Sequence, residues 1–63
     1  MSTVPITLDE MVVCAQRELA LRKSVYPRFI EQGRLSKQEA EREIACMAAI
    51  LAKLKSEHSP ELF

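Results

Sequence analysis

Twice in this chain a hydroxyl residue stands three places ahead of a glutamate, at the head of an apolar-periodic run. The two sites are Thr7-Leu8-Asp9-Glu10 and Ser36-Lys37-Gln38-Glu39. In such a box the hydroxyl accepts from an orphan backbone N–H of the first turn, and the glutamate accepts from the N–H of the capping residue. Ile6 and Met11 bracket the first box as a hydrophobic staple, and Leu35 and Ala40 bracket the second more weakly. The chain's one glycine, Gly33, falls between the two runs, where a left-handed residue can end a helix. The connection Gly33-Arg34-Leu35 is too short for anything but antiparallel neighbours.

These signals predict an all-α fold, an antiparallel αα-hairpin. Helix 1 spans about 8–32 and helix 2 about 37–57, in a single domain over 1–63 with flexible ends at 1–6 and 58–63. Pro27 removes one helical hydrogen bond at a cost of about 3 kcal/mol, so helix 1 either kinks near it or breaks and restarts. The kink fits better, because Leu8, Met11, Val12, Ala15, Leu19, Tyr26, Phe29 and Ile30 keep one arc at about 100° per residue through the proline. The facing stripe on helix 2 is Ala40, Ile44, Met47, Ile50, Leu51 and Leu54.

Each helix also carries a second apolar surface: Cys14, Leu21 and Val25 on helix 1, and Ala45, Ala48, Ala49 and Ala52 on helix 2. A lone hairpin buries one face per helix, and a chain of 63 residues has too small a core to leave the rest idle. Those seven residues are therefore candidates for an oligomer interface. A homodimer forming a four-helix bundle is the simplest closed assembly.

Several function classes lose support. Nine basic and nine acidic residues cancel, which removes bulk attraction to nucleic acid or anionic membrane. The longest apolar run, Ile44 to Ala52, is half the length that spans a bilayer, and the first ten residues lack a basic start for a secretory signal. The expected setting is cytoplasmic. Cys14 and Cys46 with the lone His58 do not make a structural zinc set, and the thiols read as small buried hydrophobes. A Cys14–His58 dyad is geometrically conceivable, but nothing orients the imidazole. No catalytic motif occurs, so the chain reads as a non-enzyme without cofactor or metal.

Charge is uneven along the chain. Residues 17–37 hold six basic groups against Glu18 and Glu31, gathering charge at the hairpin tip beside Tyr26 and the start of helix 2. Arginine forks, an aromatic face and free N–H groups suit a phosphate-bearing ligand. A solvated tip with i,i+4 pairs such as Glu18–Arg22 and Lys37–Glu41 is the structural alternative. Arg22 falls at the centre of the first apolar arc and Glu43 lies inside the second. Counted from the turn, they sit within an arginine's reach as a register-fixing pair or a ligand-facing one. The binding candidates are thus Arg22, Tyr26, Arg28, Arg34 and Glu43.

The elements Arg22-x-x-Val25-Tyr26-Pro27, Gly33-Arg34-Leu35 and Ala40-x-x-Glu43-Ile44-x-x-Met47-x-Ala49 resemble a group of short, uncharacterised phage and prophage proteins over residues 17–54. That resemblance implies a phage gene product in a bacterial cytoplasm and marks Arg22, Tyr26, Pro27, Gly33 and Arg34. The expected function is binding a host protein to inhibit or redirect it. The alternative is a sponge for a nucleotide signal of antiviral defence, held at a subunit interface.

Overall fold

A computed structural model describes residues 5–58, which form two helices and no strand. Helix α1 runs Leu8–Glu31 and helix α2 runs Lys37–His58, and the two pack against each other along their length as the expected hairpin. Both capping boxes close. Glu10 N–H donates to Thr7 Oγ1 and Thr7 N–H to Glu10 Oε1, each at 3.1 Å. Glu39 N–H donates to Ser36 Oγ and Ser36 N–H to Glu39 Oε1, each at 2.9 Å. Four orphan donors are satisfied by four residues already adjacent in sequence.

The other end of α1 stops as its glycine dictates. Gly33 takes φ +74°, and its N–H donates to Ile30 O at 3.0 Å while Arg34 N–H donates to Phe29 O at 2.9 Å. This pair of bonds is a Schellman motif, which turns the chain out of the helix. Pro27 lies inside one continuous helix, so the chain does not break and restart there.

The core is narrow. Val12, Ala15, Ala40 and Met47 are its buried members, flanked by half-buried Leu8, Leu19, Tyr26, Phe29, Ile30, Ile44, Leu51 and Leu54. Met11 and Ile50, expected in the facing stripes, are 41% and 46% exposed. Two helices touch along a strip, and these residues sit on its rim rather than its floor. Cys14 and Cys46 depart from expectation for the same reason: both are exposed free thiols on the flanks, not buried hydrophobes. The staples differ between boxes as well. Ala40 is buried and Leu35 half-buried, whereas Ile6 and Met11 are 66% and 41% exposed.

The flexible ends expected at 1–6 and 58–63 lie mostly outside the described residues. His58 is the last residue of α2, and its Nε2 pairs with Asp9 Oδ1, holding the open end of the hairpin. No helix among the described residues is long and apolar enough to cross a membrane.

Candidate functional site

Arg22 is where the two helices are tied together. Its Nε donates to Glu18 Oε2 at 2.9 Å, one turn back on α1. Its Nη1 reaches across to α2, 3.0 Å from the backbone carbonyl of Glu43 and 3.3 Å from Glu43 Oε1. The side chain is only 23% exposed. Its apolar stem lies in the arc between the helices while its charged end lies between two carboxylates, as a long cationic side chain at a rim does. The Glu18 hydrogen bond is the first cause holding the guanidinium's pKa above its ordinary value; Glu43 adds a smaller push. A backbone carbonyl is a register mark as well as an acceptor. Sliding α2 by one residue would move Glu43 O out of reach, so this contact fixes the helices axially.

Of the other tip residues, Arg34 and Tyr26 gather on Phe29, while Arg28 stands apart. Arg34 lies over the Phe29 ring, with its guanidinium carbon 4.5 Å from the centroid. Tyr26 packs beside Phe29 with its ring tilted, 6.0 Å from centroid to centroid. Arg28 is exposed in the last turn of α1, where a cation favours the negative end of the helix dipole. The open groove at the tip, about 790 Å³, is lined by Tyr26, Leu35 and Arg42 together with Glu39, Glu41 and Glu43. Of Arg22, Tyr26, Arg28 and Arg34, only Tyr26 lines that groove. Three carboxylates in it oppose the anion expected from the basic run. Among the described residues Lys37 and Glu41 do not form the anticipated ion pair, while Glu18 and Arg22 do.

A second groove, about 870 Å³, runs along the flank toward the open end. Its apolar lining includes Met11, Cys14, Met47, Ile50 and Leu54, and Asp9, Glu10, Arg17 and Glu18 rim it. Leu21 continues the flank at 54% exposure and Val25 is half-buried beyond it. At about 100° per residue the α1 candidates Cys14, Leu21 and Val25 share the side of the hairpin that carries Ile50. The exposed alanines Ala45, Ala48, Ala49 and Ala52 turn off the opposite flank of α2. The two sets of interface candidates therefore mark two different surfaces.

Among the described residues no three His, Cys, Asp or Glu side chains gather as a metal cluster. The Cys14–His58 dyad considered from sequence is not what the imidazole makes; it turns to Asp9. Sequence reasoning did not single out Phe29 as a partner for Arg34. The signal was there, since Phe29 and Arg34 are the two residues whose side chains meet across a Schellman turn ending at Gly33. No family model matches this chain, and neither a curated protein nor a solved structure matches it.

Proposed function

We propose that this chain is a non-enzymatic binding protein that self-associates through its apolar flank and captures a host protein in a bacterial cytoplasm, as the resemblance to small phage proteins implies. One observation supports it above the rest. Met11, Val13, Leu21 and Ile50 are between 41% and 54% exposed, as many large apolar side chains as the buried core has members. Covering a half-exposed side chain of this kind returns about 1 kcal/mol, so a partner surface is a sizeable fraction of what so small a hairpin can gain. A bundle of two hairpins is the proposed assembly, with the bend expected at Pro27 setting how α1 follows its neighbour.

The nucleotide-sponge alternative draws less support from the tip. Arg22 is occupied by Glu18 and Glu43, Arg34 by Phe29, and the nearby groove is rich in carboxylates. Native mass spectrometry of protein taken gently from bacterial cytoplasm tests both readings. Multiples of 7.2 kDa without added mass support self-association. A bound adduct of a few hundred daltons, lost on denaturation, would replace the protein-binding reading by the nucleotide one.

A further inference from the structure

Along the exposed side of α1, Met11, Cys14, Glu18, Leu21, Val25 and Arg28 recur at spacings of three and four. That is the seam pattern of a helix packing on another helix, and it lies on the flank beside the α1–α2 contact rather than within it. Glu18 is the polar member near the middle of the seam, and its charge is already met by Arg22 within the same chain. The flanking charges are polarised. No basic residue precedes Arg17 in α1, whereas Arg22, Lys23 and Arg28 follow it. Arg28 forms no ion pair among the described residues. Glu10 spends Oε1 on its cap and leaves its other oxygen available.

An antiparallel copy of the same helix answers this pattern. Matching the seam to itself in reverse sets Cys14 against the partner's Val25, Leu21 against the partner's Glu18, and Met11 beside the partner's Arg28. It brings Glu10 within reach of that same arginine and opposes the two helix dipoles. A parallel copy would instead align acidic turn with acidic turn and basic half with basic half. The two-fold axis then crosses α1 between Leu19 and Ala20, two to three residues from Arg22. The Arg22–Glu43 contact carries that level across to α2 at Ala45 and Cys46. On α2 the same face reads Glu39, Glu43, Cys46, Ile50, Lys53 and Glu57, again at spacings of four and three. Reversed about Cys46, it opposes Glu39 to the partner's Lys53.

We infer that a second copy of this chain covers the flank carrying Met11, Cys14, Leu21, Val25 and Ile50, packed antiparallel about a two-fold axis beside Cys46, while the alanine surface of α2 stays outside the interface. This rests on the self-association proposed above and names the face and direction that accomplish it.

The test is sedimentation equilibrium of the full chain, joined to cross-linking with a short bismaleimide. The wild type should be dimeric. Leu21→Glu should raise the dissociation constant at least about a hundredfold, and Ala48→Glu should leave it within about threefold. Arg28→Glu and Glu10→Lys should each weaken the dimer about tenfold, and the double reversal should recover most of the loss. In the wild type, Cys46 should cross-link to the partner's Cys46, and Cys14→Ser should not prevent this. This readout needs no interface substitution to fold. A dimer broken by Ala48→Glu but not by Leu21→Glu would overturn the face assignment and leave self-association standing. Failure of the double reversal together with absent Cys46 cross-links would overturn the antiparallel arrangement. A wild-type monomer at every accessible concentration would overturn both proposals.

Discussion

Phe29 and Arg34 occupy the two positions of a Schellman turn whose side chains meet, and here they meet as a guanidinium 4.5 Å over a ring. A hydrophobic pair commonly fills these positions. The substitution of an arginine keeps the packing and adds the attraction of a cation for the ring face. It also explains why a basic residue at the tip of a hairpin need not be waiting for a ligand.

Gly33→Ala isolates the backbone contribution to this turn. Nothing lies within 4 Å of the added Cβ, so the cost comes from φ +74° alone. A loss of about 1–2 kcal/mol is expected, read by urea unfolding at constant protein concentration. Arg34→Ala should lose about 0.5–1 kcal/mol, and Arg34→Leu less, because a leucine still covers Phe29. Equal losses for Ala and Leu would show that the charge, not the contact, matters there.

The two capping boxes make a matched pair for stability. Thr7→Ala and Ser36→Ala should each cost about 1 kcal/mol in the same urea assay. The sites are at opposite ends of the hairpin and share no partner, so the double substitution should equal the sum of the singles to within about 0.5 kcal/mol. Amide exchange should accelerate in the first turn of α1 for one variant and of α2 for the other.

Among the described residues Met47 is the one long side chain in the buried set. Met47→Ala is therefore expected to cost about 2–4 kcal/mol, enough to unfold much of so small a chain. Met11→Ala removes a side chain of the same type from the rim, and should cost well under half as much to the monomer. Circular dichroism under dilute conditions separates the two.

Sequence reading succeeded at the helix ends, where backbone spacing within a turn decides the answer, but the same short spacing did not secure the Lys37–Glu41 pair or bury Ile6. Thr7 with Glu10, Ser36 with Glu39, and Gly33 at the helix end are local arrangements that covalent geometry nearly decides. Arg22 with Glu43 was reached by counting residues outward from a connection of known length. What spacing does not encode is the width of the strip along which two helices touch. Met11, Ile50, Cys14 and Cys46 have the composition of an interior, yet the hairpin leaves them exposed because among the described residues no third element covers that side. The same limit applied to the candidate site. A run of basic residues reads as one patch in sequence, but α1 sets Arg22 and Arg28 on different faces, the turn at Gly33 carries Arg34 out of the helix, and Arg22 and Arg34 have local partners.

Pro27 carries the last prediction. It sits inside α1 at an exposed position, and the helix pays for it with the hydrogen bond that a residue there would donate to Lys23 O. Pro27→Ala should restore that bond and stabilise the folded hairpin by up to about 3 kcal/mol, seen as a higher urea midpoint. A residue that weakens the fold yet stands in mid-helix is expected to shape α1 for something that packs on it. If so, the same substitution should weaken dimerisation in sedimentation equilibrium even as the monomer becomes more stable. Gains in both would mean that the proline serves neither the fold nor the assembly, and would remove the bend from the account of how two hairpins fit together.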